Sequence, residues 1–217
     1  MFATEARADE ATQQLVRTMA RAWNFSGGGA DEPIDPIVDA LSAYAELLLR
    51  WNARINLTAA RSIDVLIGEH YPDAFALARR LDQPARVIDV GSGGGLPAIP
   101  LALLRPALTV ELVEPIAKKA AFLRTAAREL ALGGRVSVHG TRGERIADAI
   151  AADPARAFDI AISRATLAPE KWLALGTRLV RPGGRVFVLT TADVLPQLAD
   201  RDTYHDRRRA LIQVVRP

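Results

Sequence analysis

Between residues 87 and 95 the chain reads Val87-Ile88-Asp89-Val90-Gly91-Ser92-Gly93-Gly94-Gly95, a short apolar run that ends in a glycine-rich turn. Glycine adopts positive φ without strain and, lacking a Cβ, lets a ligand approach the backbone closely. In an open α/β sheet such a turn lies at the carboxyl ends of the strands, where ligands bind. A tight turn with no ligand is the plainer reading. Four glycines in five positions behind an apolar strand weigh against it.

The chain on either side fits that frame. From Arg86 onward, apolar runs at 87–90, 108–113, 136–139, 158–162 and 185–190 alternate with helical patterns at 98–105, 117–132, 144–151 and 169–180. Such alternation predicts βαβ units and a mostly parallel sheet covered on both faces, with right-handed crossovers. A last run, 210–215, adds a strand beside 185–190. Ahead of the sheet, Leu15, Val16, Met19 and Trp23 recur at helical spacing and Ser26-Gly27-Gly28-Gly29 breaks the pattern. Asp35-Pro36 opens a second helix carrying Ile37, Leu41, Tyr44, Leu47, Leu48 and Trp51 on one face, and a third runs from about Ser62 to Leu81, bent at Pro72. The predicted organisation is a flexible or loosely helical segment over 1–30, a helical extension over 31–82, and a doubly wound, Rossmann-like α/β domain over 83–217.

Composition narrows the chemistry. Hydrophobic residues make up 49% and charged residues 24%, ordinary for a soluble globular chain. No apolar run approaches the roughly 20 residues that span a bilayer, and the polar start, with acids among its first ten residues, does not read as a signal peptide. A cytoplasmic protein without membrane attachment is expected. The absence of cysteine excludes disulfides, thiolate metal sites and cysteine nucleophiles, and no metal is expected. The formal net charge of +3 is modest, with lysine confined to 118, 119 and 171. A coding bias toward arginine and a basic face for nucleic acid explain it equally well.

The glycine turn allows two ligands. Gly93-Gly94-Gly95-Leu96-Pro97-Ala98 fits the dinucleotide pattern, and Gly91-Ser92-Gly93-Gly94-Gly95 fits the G-x-G-x-G of methyltransferases. Asp89 favours the second, because it stands where an acid meets the amino group of S-adenosylmethionine. Glu114 closes the next strand, where a carboxylate accepts hydrogen bonds from both ribose hydroxyls. Glu111 is read as solvated on the opposite face from Glu114.

Trp51-Asn52, Asn56-Leu57-Thr58-Ala59, His70-x-x-Asp73, the glycine turn with Leu96-Pro97 and Ile99-Pro100, and Ser163-Arg164-Ala165 occur in this order. Together they resemble the bacterial small-subunit (16S) ribosomal RNA guanine-N7 methyltransferases, also called glucose-inhibited division protein B. The likeness covers about residues 35–190. It implies a class I methyltransferase fold, S-adenosylmethionine as cofactor, and 16S rRNA or the small ribosomal subunit as partner of a monomeric enzyme. It also implies a cofactor site of Asp89, Gly91, Ser92, Gly93, Gly95, Leu96, Glu114, Arg142 and Glu144, with Arg164, Arg209 and His70 as catalytic residues and Asn56, Lys118 and Arg164 facing the substrate. Guanine N7 carries a lone pair and no proton, so methylation asks for alignment rather than a general base. Arginine suits the guanine Hoogsteen edge and nearby phosphates.

Each candidate has a duller reading. His70 could cap a turn or bond Asp73, Trp51 is more readily core than stacking platform, and the run Arg207-Arg208-Arg209 reads as a solvated or phosphate-contacting patch. The chain also departs from the family at two points. Thr190-Thr191 stand where members carry Lys-Gly after the fifth strand, and the stretch from Thr191 to Arg209 reads as too short for a strand ahead of the last one, leaving an exposed sheet edge. A methyltransferase with another RNA or small-molecule acceptor, a cofactor-binding regulator without catalysis and, more remotely, an NAD-dependent dehydrogenase stay open on the sequence.

Overall fold

A computed structural model of the chain describes residues 8–25, 34–164, 166–191, 193, 201–204 and 208–217. Three helices come first: α1 (Glu10–Ala22), α2 (Asp35–Asn52) and α3 (Ile63–Arg80). The alternating part follows as β1 (Ala85–Val90), α4 (Ala98–Leu104), β2 (Leu108–Val113), α5 (Ala117–Glu129), β3 (Val136–His139), α6 (Gly143–Ala152), β4 (Phe158–Arg164), α7 (Pro169–Leu179), β5 (Val180–Thr191), β6 (Arg201–Tyr204) and β7 (Arg209–Val215).

The seven-stranded sheet has the order β3-β2-β1-β4-β5-β7-β6. Strands β1 to β5 are mutually parallel, while β7 runs antiparallel between β5 and β6. The final run does lie beside β5, with Val188 opposite Ile212. The expectation of a missing strand is overturned. Four residues suffice for β6, which pairs Asp202 with Leu211 and Tyr204 with Arg209, so the sheet continues one strand beyond β7.

Two apolar layers follow from strand alternation. Val87, Ile160, Ile162 and Phe187 face the core shared with α1, α2, α3, α4 and α5. Ile88, Val90, Ala161 and Val186 face the opposite side, under Ala147 and Ile150 of α6 and Trp172, Leu175 and Leu179 of α7. A central strand packed on both faces must be apolar throughout, which is why β1 and β4 read as continuous hydrophobic runs. Each fully buried Leu, Ile or Phe contributes about 1.5–3 kcal/mol.

The leading helices join the first layer. Val16 and Ala20 of α1 are buried. Trp23, just past its end, stacks on Phe75 of α3 at 6.0 Å and meets Tyr204 of β6 edge-on at 5.7 Å. Ser62 caps α3 by accepting from the Val65 amide. The Ser26-Gly27-Gly28-Gly29 break lies outside the described residues. Among the described residues, no helix is long and apolar enough to cross a membrane. Because the chain leaves β1 toward β3 and returns to β4, the strand order reverses between β1 and β4. Their carboxyl ends open the crevice in which ligands of such sheets sit.

Candidate active site

The turn after β1 is held on every side. The Gly91 amide donates to the Val113 carbonyl at 2.8 Å, and the Ser92 hydroxyl donates to the Asp89 carbonyl at 2.9 Å while accepting from the Val113 amide. Gly93 donates its amide to Glu114 Oε2 at 2.9 Å, and Ile116 donates to Oε1 at 2.8 Å. Glu114 is buried, yet each of its oxygens keeps a further lone pair for a ligand hydroxyl. Gly91 has φ of +76°, and a Cβ there would run into Thr166. Gly95 has φ of +86°, with a Cβ falling 2.6 Å from Ile99 Cδ1. Only glycine fits either place.

Asp89 lies beneath the turn, 1% exposed, and its Oδ2 has no hydrogen-bond partner among the described residues. Burial pushes its carboxyl up to about 7, opposed by the nearby Ser92 hydroxyl and by the charge of Arg164, with Glu114 adding to the rise. An unpaired buried carboxylate oxygen is costly unless something completes it.

Two cavities border this turn and a third adjoins the first at Arg164. The first, about 430 Å³, is lined by Gly91, Ser92, Gly93, Leu96, Glu114, Lys119 and Arg164, among others. The second, about 140 Å³, lies between Val90, Val113, Arg142, Gly143, Glu144 and Leu175 and shares Gly91, Pro115 and Thr166 with the first. The third, about 470 Å³, is lined by Glu69, His70, Arg164, Leu189, Thr190, Thr191, Arg208 and Arg209. Arg164, at the end of β4, lines both the first and the third.

Behind Arg164 sits a polar cluster. Its Nη1 donates to Asp73 Oδ2 at 2.9 Å and to His70 Nδ1 at 3.0 Å. Arginine can only donate, so His70 is the acceptor at Nδ1. In the neutral ring the proton is then on Nε2, which donates to Thr58 Oγ1 at 3.2 Å. Burial, reinforced by Arg164, lowers His70 to about 4, and the ring is neutral at neutral pH. Asp73 is fully buried and also receives the Tyr204 hydroxyl at 2.7 Å and Arg209 Nη1 at 3.2 Å. Burial, with Asp73 alongside, drives the Tyr204 phenol far above its usual range and keeps it a donor.

The predicted residues divide accordingly. Gly91, Ser92, Gly93, Leu96, Glu114 and Arg164 converge on the first cavity, Arg142 and Glu144 on the second, and His70, Arg164 and Arg209 on the third. Gly95 packs beneath the turn on Ile99. Lys118 is exposed and lines none of the three; one residue along α5, Lys119 lines the first. Asn56 is likewise exposed and away from them, whereas its neighbour Leu57 lines the first cavity. The amide of the buried Asn52 ties down that loop, accepting from Leu57 and Thr58 and donating to the Thr58 and Ala60 carbonyls. His70 bonds Arg164 and Thr58 rather than capping a turn. Trp51 packs on Phe122 at 5.7 Å as part of the core. Glu111 is not solvated but bonded to His139 at 2.9 Å and Arg86 at 3.2 Å. Ala165 and Arg207 lie outside the described residues. Sequence reasoning missed Asp73, Tyr204, Lys119 and Thr166 as site residues. The acid three positions after His70 on one helix was the available signal for Asp73, since side chains at i and i+3 share a face.

The cavity beside the turn fits S-adenosylmethionine. Glu114 has lone pairs for ribose hydroxyls, and Val90, Val113 and Leu175 give the second cavity apolar walls for a base, while Asp89, which lines none of the three cavities, keeps an oxygen without a donor just beneath the turn.

Comparisons with known proteins agree. The family model of GidB, rRNA small subunit methyltransferase G, matches residues 37–209. Ribosomal RNA small subunit methyltransferase G of Anaeromyxobacter sp. (strain Fw109-5) is 37% identical over 158 residues, 72% of this chain and 71% of that one. The same enzyme of Azoarcus sp. (strain BH72) is 40% identical over 149 residues, 69% and 67% of the two chains. Among solved structures, the O-methyltransferase from Bacillus cereus in complex with SAH superposes with a TM-score of 0.57 at 16% identity, covering 93% of this chain and all of that one, a likeness of fold. The matched span takes in the glycine turn, Glu114, the Asp73 cluster and Arg164. The chain is thus an S-adenosylmethionine-dependent methyltransferase and belongs to the rRNA small subunit methyltransferase G family.

Proposed function

We propose that this protein methylates N7 of a guanine in 16S rRNA, on the naked RNA or the small ribosomal subunit, as a cytoplasmic monomer. The observation that carries the reading is Arg164, which lines the cavity beside the glycine turn and the neighbouring basic cavity at once. S-adenosylmethionine supplies an activated methyl group on a sulfonium. The residues of the chain supply alignment: the glycine turn and Glu114 hold the cofactor, while Arg164 and Arg209 offer donors to the O6 and N7 edge of a guanine or to its phosphate. A guanine N7 gives up no proton. A neutral His70 bonded to Arg164 therefore suits the reaction as a holder of the arginine, with Arg164 as the residue against the base.

A second reading, a changed acceptor, is favoured by Thr190 and Thr191, which line the third cavity where the family carries Lys-Gly. In this chain Arg208 lines the same cavity and supplies a cation there. Incubation with small subunits lacking N7-methylguanine and labelled S-adenosylmethionine, followed by mass-spectrometric mapping, separates the two. One new N7-methylguanine in 16S rRNA supports the first reading; bound cofactor without transfer to that RNA supports the second.

A further inference from the structure

Asp73 is the most deeply buried carboxylate beside Arg164 among the described residues, and it lines none of the three cavities. Its side chain has no exposure, whereas those of its partners Arg164 and Arg209 are 19% and 26% exposed. One oxygen, Oδ2, receives Nη1 of both arginines, at 2.9 and 3.2 Å; the other, Oδ1, receives the Tyr204 hydroxyl at 2.7 Å. The three partners come from β4, β6 and β7, and Asp73 comes from α3. A carboxylate in this position stabilises two cations that would otherwise repel, and it fixes the direction in which each planar fork points. With Nη1 of Arg164 held by Asp73 and His70, the planar fork is fixed at a residue that lines both the first and the third cavity.

We propose that Asp73, oriented by Tyr204, is a positioning residue for methyl transfer. It acts through Arg164, with Arg209 as a second cation on the same carboxylate, and touches neither cofactor nor acceptor. This rests on the rRNA reading above. Losing an alignment of about an ångström costs on the order of a hundredfold in turnover, so Asp73→Asn, which keeps the shape and removes the charge, is expected to lower kcat about a hundredfold. Its affinity for S-adenosylhomocysteine stays within about threefold of the wild type.

The decisive measurement is a cycle on the whole protein. Turnover on small subunits and S-adenosylhomocysteine affinity are measured for the wild type, Asp73→Asn, Arg164→Gln and the double variant. A residue that works through Arg164 adds little once that arginine is gone, so the double variant is expected within about threefold of Arg164→Gln. Losses that multiply, or an Asp73→Asn protein with unchanged kcat, would overturn the proposal. Where Asp73→Asn fails to fold, Tyr204→Phe decides: a fall in kcat of about five- to tenfold at unchanged melting temperature and cofactor affinity supports the orienting role, and unchanged kcat overturns it. Inactivity of the wild type on small subunits removes the rRNA reading and this proposal with it. An active wild type beside an unimpaired Asp73→Asn removes this proposal alone.

Discussion

The Tyr44 hydroxyl in α2 donates to the Gly94 carbonyl in the glycine turn at 2.6 Å, wholly out of solvent. A helix ahead of the sheet thus reaches into the cofactor turn and satisfies a backbone group there. Burial raises the phenol well above its ordinary range, so it stays a donor at any physiological pH. Tyr44→Phe leaves the Gly94 carbonyl unpaired and is expected to destabilise the fold by about 1–3 kcal/mol. Urea melts measure this, and a parallel rise of a few-fold in the dissociation constant of S-adenosylhomocysteine is expected by calorimetry.

Gly91→Ala is expected to abolish cofactor binding. The new Cβ would meet Thr166 at a positive φ, and the turn must shift to relieve both faults. Equilibrium dialysis with labelled cofactor is the direct check, and retention of wild-type affinity would disprove the close approach.

Cofactor affinity is expected to depend on pH through Asp89. Its carboxyl is raised from 3.8 to about 7 in the folded protein. The unfolded chain loses that proton near pH 4 and the folded chain keeps it to about 7. This group therefore lowers stability as pH rises across that window and leaves it level above. An ammonium requires the ionised form, so S-adenosylhomocysteine should bind about tenfold more tightly at about pH 8 than at about pH 6. In Asp89→Asn the dependence should vanish.

His70 works in the opposite sense. A histidine lowered from 6.5 to about 4 on folding is protonated first in the unfolded chain, and stability is lost as pH falls from about 6.5 toward 4. After allowance for its partial exposure, the loss at pH 5 is on the order of 1 kcal/mol. Urea melts at pH 5 and 7 should show His70→Gln free of it.

The neighbouring lysines of α5 are expected to separate. Lys119→Ala should weaken cofactor binding several-fold, because Lys119 lines the cofactor cavity, and Lys118→Ala should leave it unchanged. Titrations of the two variants side by side make the comparison.

Much of the architecture was legible because its signals are local. Apolar runs two-sided enough to be central strands, a glycine turn behind the first of them and Asp35-Pro36 at a helix start each express a constraint within a few residues. The glycine turn and Glu114 stood out for the same reason, whereas Arg142 and Glu144, which line the second cavity, were carried by the family resemblance rather than by a local signal. The Asp73 cluster was not, since its four elements are joined only by tertiary packing and a tyrosine in a four-residue strand leaves no pattern. Strand β6 itself escaped because so short a run has no alternation to read. Lys118 and Asn56, which the sequence analysis set against the substrate, are exposed outside the three cavities, each beside a residue that lines the first, and a resemblance does not fix the rotation of a helix start or a loop.

The rim of the sheet carries a further consequence. β6 presents only four residues of backbone at the edge, a length that gives a foreign strand little to pair with. Yet its Tyr204 reaches Asp73, the carboxylate that also holds Arg164 and Arg209. Warming that frays this margin would silence the enzyme while the central strands were still intact, so heat inactivation should precede the calorimetric melt and reverse on cooling.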